Sequence, residues 1–343
     1  MESARQWAGR RVFLTGVCGT VGRELLERLR EFDLAGIVGV DTNETELFFT
    51  REAMRSDPRV QLFLCDVRVA EQVSRRMRGI DVVLHAAAYK HVDMCERSPH
   101  EAIMTNILGT QNVISAALDN EVERVIFTSS DKAVNPTSVM GTSKLMAERL
   151  VSAASTQTHN GKPIFASIRF GNIMGSRGSV IPLFESQIAV GGPVTLTDPR
   201  MTRFVMSVKQ ASALVMEAAF LARGGEVIVT KMDVLRIEDL AHVMIAERAP
   251  AFGFEPRMVE IRIIGSKPGE KLYEELTNEE EVRRTFDWDK YLIVKPALQV
   301  NGEDRFEDWA REGKPIEKPY NSSTSSAMNC DEIRALLRRN ERV

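Results

Sequence analysis

A carboxyl group and an amine stand side by side at Asp131 and Lys132, directly behind Ser130 and the apolar run that starts Val125-Ile-Phe-Thr. Such a pair can give a proton to one atom of a bound substrate and take a proton from another. The segment continues through polar residues into a helix-forming stretch that carries Met140 and Lys144, four apart and so on one helix face. In an open parallel sheet, ligands bind outside the carboxyl ends of the strands, so this strand delivers Ser130, Asp131 and Lys132 to the ligand edge. The rest of the chain has to supply the frame that aims them.

Arg11-Val-Phe-Leu-Thr15 reads as a short apolar strand, followed by Gly16, Gly19 and Gly22 and a helix-forming run from Arg23 to Phe32. In a strand, turn and helix of this kind Gly16 permits the tight turn, Gly19 lets a pyrophosphate approach the backbone and Gly22 allows close helix packing. Thr20 and Val21 open the helix whose N-terminus stabilises the anion. Three glycines alone are weak evidence. The next strand, Gly36 to Asp41, strengthens them by ending in an acid about 20 residues on, where a carboxylate holds a ribose 2′-hydroxyl and favours NAD over NADP. The competing role for Asp41 is a helix cap or a turn residue.

Val60 to Val67 and Ile80 to Ala88 read as two more strands around the charged helical segment Ala70 to Met77. Asp66 and Val67 fall at a strand end suited to adenine, and the small Ala86, Ala87 and Ala88 let backbone pass close to a cofactor. Lys90 has an electrostatic role open to it near phosphate or sugar, against the alternative of a solvated loop lysine; His85 and His91 are assigned no role. Pro99 to Asn120 reads as one long helix containing Asn106, a cofactor-side candidate, and Val122 to Thr128 as the strand leading into Ser130. Strand and helix alternate six times by residue 150. The expectation is an α/β protein: a Rossmann-type doubly wound parallel sheet over residues 1–170, with later segments interleaved.

Pro163 to Phe170 gives another strand, and Gly171 to Pro182 a glycine-rich, non-periodic segment expected to wrap a ligand. A helix over Leu183 to Val190 and a strand over Val194 to Thr197 follow, and then Asp198 to Phe204 brings Arg200 and Arg203 close together, as a diphosphate site would. Strands at Glu226 to Thr230 and Val259 to Ile264, with a helix over Ile237 to Ala246, predict a smaller C-terminal α/β lobe that binds substrate, mainly residues 171–343. Beyond Leu276 the chain reads as charged and irregular, up to a short amphipathic helix at Asp331 to Arg339.

With 43% hydrophobic and 27% charged residues and a net charge of −3 over 343 residues, the composition suits a soluble enzyme and argues against disorder or a nucleic-acid surface. The first ten residues lack the apolar core of a signal peptide and no later run approaches membrane-spanning length, so a cytoplasmic protein is expected. Cys18, Cys65, Cys95 and Cys330 have no metal-site or disulfide spacing, and no metal is expected.

On these residues the chain resembles the extended short-chain dehydrogenase/reductases, and within them the nucleotide-sugar dehydratases of bacterial polysaccharide biosynthesis, nearest the UDP-N-acetylglucosamine 4,6-dehydratases. The segments carrying the resemblance are Thr15 to Gly22, Ala86 to His91, Ser129 to Pro136, Arg169 to Met174, Arg177 to Pro182, Asp198 to Phe204 and Lys267 to Lys271. The resemblance implies a tightly held NAD that oxidises the sugar at C4 and acidifies the C5 proton. Lys132 then removes that proton, Asp131 protonates the departing C6 hydroxyl, and hydride returns to C6. It further implies that Ser130 bonds the C4 oxygen and that Lys144 binds the nicotinamide ribose and favours deprotonation at C4. Asn172, Val180, Thr195, Arg203 and Glu270 become contacts of the UDP-sugar, with Lys90 near the sugar.

Met140 stands where the wider superfamily has its tyrosine base, and a thioether takes no proton. The resemblance covers dehydratases with methionine there, leaving the C4 base to Asp131 or a water, and it leans toward the type that inverts C5. A UDP-sugar 4-epimerase and a catalytically silent NAD- or nucleotide-sugar-binding regulator are the alternatives. Asp131 and Lys132 speak against the first, and retention of Ser130, Asp131, Lys132 and Lys144 against the second. A homo-oligomer, dimer or hexamer, is expected.

Overall fold

The computed structural model describes residues 2–176, 179–266, 269–298 and 305–340. Arg177 and Gly178, and Lys267 and Pro268, which open two of the motif segments, lie outside them. The chain divides into two compact units.

The first unit comprises residues 1–170, 209–231 and 277–319. Its strands are β1 (Arg11–Thr15), β2 (Gly36–Asp41), β3 (Val60–Leu64), β4 (Val82–His85), β5 (Arg124–Thr128) and β6 (Ile164–Arg169), with β10 (Val227–Thr230), β13 (Thr285–Trp288), β14 (Tyr291–Val294) and β15 (Lys314–Pro315). The second unit comprises residues 171–208, 232–276 and 320–343 and holds β7 (Asn172–Ile173), β8 (Val194–Leu196), β9 (Thr202–Met206), β11 (Asp233–Arg236) and β12 (Ile261–Ile263).

The first unit's strands form one sheet in the order β15-β13-β14-β10-β6-β5-β4-β1-β2-β3. From β3 to β10 the pairing is parallel, and β14, β13 and β15 add antiparallel to that edge. Strand order reverses at β1, between β2 and β4, the switch point where such sheets hold ligands. The central strands are buried on both faces, as parallel strands between two helix layers must be, and therefore read as continuous apolar runs. Phe13, Val83, Val125, Phe127 and Phe165 pack against Val113, Ala117, Ala147 and Val151 of the covering helices. In the second unit β11-β9-β7 and β12-β8 make two small sheets, closed over a core of Phe184, Ile188, Leu235, Met244 and Ile333.

Five expectations need correction. The first 150 residues hold five parallel strands, and the sixth is Ile164–Arg169. Val227–Thr230 belongs to the main sheet and not to the smaller unit, and the charged stretch beyond Leu276 contains the hairpin Thr285–Trp288 and Tyr291–Val294. Charges around two four-residue strands hid that hairpin, whose turn residue Asp289 takes φ 50°. The stretch from Pro99 to Asn120 is helical but not one α-helix, since Ile103–Leu108 is a π-helical turn between α-helical Pro99–Ala102 and Gly109–Asp119. Finally, helix begins at Val180, not Leu183. Pro182 is tolerated there because the first-turn N–H it lacks would have had no helical partner.

Candidate active site

Five strand ends of the first unit, those of β1 to β5, carry candidate residues. After β1, Gly16 takes φ 70°, and a Cβ on it would lie 2.7 Å from the Ala87 nitrogen. Only glycine fits both conditions. A Cβ on Gly22, in the helix Thr20–Leu29, would sit 2.1 Å from the Gly16 carbonyl oxygen, so helix and turn touch. Gly19 precedes this helix and no side chain caps it; Thr20 and Val21, half-buried, form its first turn. N–H groups without helical partners and the positive end of the helix dipole make that turn a place for an anion. The Asp41 carboxylate, at the end of β2, accepts from the Cys18 N–H in the glycine turn and from the Asn43 N–H, each at 3.0 Å. The turn role of Asp41 is therefore filled, with its carboxylate held beside the glycine turn.

Beyond β3, Arg68 grips the Asp66 carboxylate at 2.6 Å and reaches Glu101 at 2.8 Å; its hydrogen bond holds the Asp66 carboxyl below its usual range. Val67 is buried, and Gly109 leaves it room, since a Cβ there would stand 2.8 Å from Val67 Cγ2.

β4 ends at His85, so Ala86, Ala87 and Ala88 lie beyond the strand. The Ala86 and Ala87 N–H groups donate to Thr15 Oγ1 at 3.1 and 3.2 Å. The Thr15 hydrogen is left for His85 Nδ1 at 2.7 Å. Thr110 gives its hydrogen to the Asn106 carbonyl at 2.7 Å, so His85 Nε2 donates to Thr110 Oγ1 at 3.1 Å. This buried imidazole is neutral. Burial first, then the charge of Lys144, push its pKa down to about 3. Asn106, in the π-helical turn, donates to the Tyr89 carbonyl at 3.0 Å and Ser143 Oγ at 2.8 Å and accepts from the Tyr89 N–H at 2.8 Å. It is buried and ties the Tyr89 backbone to the helix bearing Ser143. Lys90, next to Tyr89, is exposed.

β5 leads through Ser129 and Ser130 into the 3₁₀ turn Asp131–Ala133. The turn is tied to β6: the Ser129 N–H donates to the Ile168 carbonyl at 2.7 Å and the Asp131 N–H to the Phe170 carbonyl at 3.1 Å. Asp131 is fully buried, and its Oδ1 accepts from Ser130 Oγ at 2.6 Å and from Lys132 Nζ at 3.1 Å. Its Oδ2 is buried without a hydrogen-bond partner, a costly state for a carboxylate oxygen unless a proton or a ligand meets it. The helix Val139–Ala154, capped by Ser138, presses directly on this turn. A Cβ on Gly141 would lie 2.3 Å from the Lys132 carbonyl oxygen. Gly141 thus belongs to the site although its spacing had not singled it out; the signal was a glycine in the first turn of a helix.

Lys144, on that helix, is buried and donates to the Thr128 carbonyl at 2.9 Å, with its ammonium 4.7 Å from the centre of the Phe127 ring. Burial pushes its pKa down to about 8, against the opposing pull of Glu148. One turn further, Glu148 meets Arg169 at the end of β6, and Arg169 also meets Glu281, three charged side chains inside the unit to which the sequence assigned no role. Met140, which stands at the usual tyrosine position, is buried in an apolar cluster with Cys95 and Ala102, against Val92 and Val139.

In the second unit, Arg203 on β9 is buried, with Nη2 3.7 Å from Glu270 and Nε 3.6 Å from Glu274. Arg200 is 75% exposed and pairs with Asp198 at 2.7 Å. The two guanidinium groups are thus each committed to carboxylates, not presented together as the sequence suggested. Glu270 also accepts from Thr197 Oγ1 at 3.3 Å. Thr195 is held by Gln187, which donates to its Oγ1 at 2.8 Å and accepts from its N–H at 3.0 Å. Asn172 pairs with Val205 across β7 and β9, and Val180 packs against the unit's core.

Among the described residues no group of three or more His, Cys, Asp and Glu side chains is arranged for a metal ion, and no helix is long and apolar enough to cross a membrane. The chain is 44% identical over 327 residues to an uncharacterised membrane protein of Methanocaldococcus jannaschii, covering 95% of each. It is 36% identical over 334 residues to a UDP-glucose 4-epimerase of Rickettsia felis, covering 95% of this chain and 94% of that one. Among solved structures, Pen from Bacillus thuringiensis superposes with a TM-score of 0.87 at 37% identity, covering 97% and 98% of the two chains. The family model described as polysaccharide biosynthesis protein matches residues 12–296. With that match over the glycine turn, the reversing sheet and the Ser130 turn, the chain belongs to the polysaccharide biosynthesis protein family, as an extended short-chain dehydrogenase/reductase of the nucleotide-sugar dehydratase and epimerase type.

Proposed function

We propose that the protein is an NAD-dependent 4,6-dehydratase that converts UDP-N-acetylglucosamine to a UDP-4-keto-6-deoxy sugar for surface polysaccharide or glycan biosynthesis, working as a homo-oligomer, a dimer or hexamer. The observation that carries this reading is the Asp131 carboxylate with the Lys132 amine at 3.1 Å and the Ser130 hydroxyl at 2.6 Å. Removing the C6 hydroxyl needs a proton taken at C5 and one given at C6. Interconverting the C4 hydroxyl needs neither.

The glycine turn fits a dinucleotide: Gly16 and Gly22 admit no side chain, and Asp41 brings a carboxylate that suits a ribose hydroxyl and repels a 2′-phosphate, which supports NAD over NADP. When bound, the cofactor supplies hydride transfer, away from C4 and back at C6. Ser130 bonds the C4 oxygen, and the Lys144 ammonium lowers the cost of negative charge there. Lys132 and Asp131 are paired as ammonium and carboxylate. Moving one proton from Nζ to Oδ1 yields a neutral amine and a carboxylic acid with no change in net charge. Lys132 Nζ then takes the C5 proton while Asp131 gives its own to the C6 oxygen, which leaves as water. Lys132 returns its proton to C5, and the proton shed from the C4 hydroxyl to solvent makes good the one lost in that water. Asn172, Val180, Thr195, Arg203 and Glu270 are the proposed UDP contacts, and Lys90 the sugar contact.

Proton NMR of the purified protein with UDP-N-acetylglucosamine in deuterated water, with no NAD added, tests the reading. A new C6 methyl with deuterium at C5 is expected, and the ring couplings report whether C5 has inverted. Unchanged substrate with NAD confirmed bound overturns the assignment for this sugar. The second reading, a UDP-sugar 4-epimerase, draws on the 36% identity to the Rickettsia felis protein of that name. Conversion of UDP-glucose to UDP-galactose without a C6 methyl would establish it.

A further inference from the structure

The Arg203 guanidinium of the second unit is held by backbone as well as by carboxylates. Its Nη1 donates to the Thr202 carbonyl at 2.8 Å and to the Leu272 carbonyl at 3.3 Å, and the Thr202 N–H donates to the Leu272 carbonyl at 3.0 Å. Glu270 and Glu274 flank the other nitrogens at 3.7 and 3.6 Å. Where the guanidinium points therefore depends on how Leu272 to Glu274 is fixed against β9. That joint is made by a residue 120 positions from Thr202, Ser322, in the serine-rich run Asn321 to Ser326.

Ser322 is 1% exposed. Its Oγ accepts from the Glu274 N–H at 2.9 Å and donates to the Thr202 carbonyl at 3.3 Å, the same carbonyl that Arg203 Nη1 meets. With its own hydrogen so used, it takes the hydrogen of Thr202 Oγ1 at 2.8 Å. The backbone repeats the link: the Ser322 N–H donates to the Glu274 carbonyl at 2.9 Å and the Leu276 N–H to the Tyr320 carbonyl at 2.8 Å, around an antiparallel bridge of Glu275 with Asn321. Removing a buried hydroxyl of this kind leaves its partners unmet. By contrast, Ser323 and Ser325 Oγ donate to Asn321, inside the run, at 2.8 and 3.2 Å.

We propose that Ser322 is a positioning residue for substrate binding: it joins Glu274 to β9 and, through the carbonyl it shares with Arg203, sets where the guanidinium meets the diphosphate of the nucleotide sugar. This rests on the reading of Arg203 as a UDP contact. An arginine fork recognises phosphate oxygens by direction as well as by charge, so a guanidinium free to turn binds them less tightly. With Glu274 buried beside it, a turn toward that carboxylate also leaves fewer donors for phosphate.

Calorimetric titration of the full chain with UDP, together with kcat and KM for UDP-N-acetylglucosamine, tests this on Ser322→Ala, with the exposed Ser323→Ala as control. Ser322→Ala is expected to bind UDP about tenfold more weakly and to raise KM by a similar factor, with kcat within about twofold of the parent. Ser323→Ala keeps the parental affinity. A double-mutant cycle with Arg203→Lys separates aiming from general loosening: when Ser322 acts through Arg203, its removal costs less than about twofold once the arginine is gone, whereas independent effects multiply. Ser322→Cys, close in volume and a weaker donor, carries the test if the alanine variant does not fold, with a loss of about threefold expected. Parental UDP affinity in the Ser322 variants, or losses that multiply in the cycle, overturn the proposal and leave an active dehydratase standing. The expected losses in a protein that turns over no UDP-N-acetylglucosamine would sustain the Ser322 assignment and sink the dehydratase. A parent chain that does not bind UDP would overturn the assignments of Arg203 and Ser322 alike.

Discussion

Asp131 and Lys132 share one contact, but the proposed reaction gives them separable tasks. Asp131→Asn keeps a hydrogen-bonding side chain and loses the acid: with no carboxylate to hold its ammonium form, Lys132 sheds its proton to solvent, so exchange of deuterium into C5 should continue while the C6 methyl fails to appear. Lys132→Met should abolish both, each variant losing at least about a hundredfold in kcat by the same NMR assay. Were exchange lost equally in both, the division of labour would be wrong. His85 carries a prediction about stability alone. Its folded pKa of about 3 lies below the ordinary 6.5, so the unfolded chain binds a proton that the fold refuses. The stabilisation is therefore complete above pH 6.5 and is lost as the pH falls toward 3, by up to about 1.4 kcal/mol per pH unit. Melting temperatures from pH 7 to pH 4 should drop more steeply for the parent than for His85→Gln, and parallel curves would contradict the buried neutral ring. Ser130, Asp131, Lys132 and Lys144 were legible as residues because their chemistry follows from type and adjacency. Glu148 and Arg169 were not, because a carboxylate on one helix and a guanidinium on a strand say nothing of each other until the chain folds.

At the scale of elements, glycines mark where backbone must approach backbone. Gly141→Ala would put a methyl 2.3 Å from the Lys132 carbonyl and force the helix off the Asp131–Ala133 turn. A loss of about 1–3 kcal/mol in denaturant unfolding is expected, with a fall in kcat. Gly22→Ala would wedge the glycine turn from its helix at 2.1 Å, and dinucleotide affinity, measured by NAD titration of the apoprotein, should weaken at least about tenfold. Unaltered NAD binding would mean that this turn does not hold the cofactor. The helix from Val180 and the π-helical turn around Asn106 escaped the sequence reading for different reasons. Proline is a helix breaker everywhere except the first turn. A π-helical turn leaves the apolar periodicity almost intact while it turns one side chain, here Asn106, onto Tyr89 and Ser143.

Over the whole molecule, the first unit is assembled from three separate stretches of chain, and the last one supplies both an edge of its sheet and Glu281. A chain ending at Leu276 would leave β10 as an unpaired apolar edge and Arg169 short of one carboxylate. It should aggregate or fail to give a cooperative melt, as size-exclusion chromatography and circular dichroism would report, and a monodisperse, cooperatively melting product would refute this. By itself the sequence determined the parallel sheet, the glycine turn before Thr20 and the Ser130-Asp131-Lys132 strand end, because apolar periodicity, glycine and adjacent side chains act over a few residues. Only the tertiary structure decided that Met140 packs away in an apolar cluster, that Arg200 and Arg203 are each answered by carboxylates, and that strands beyond Leu276 complete the main sheet. Those outcomes depend on which distant segments meet, and no local pattern encodes the meeting.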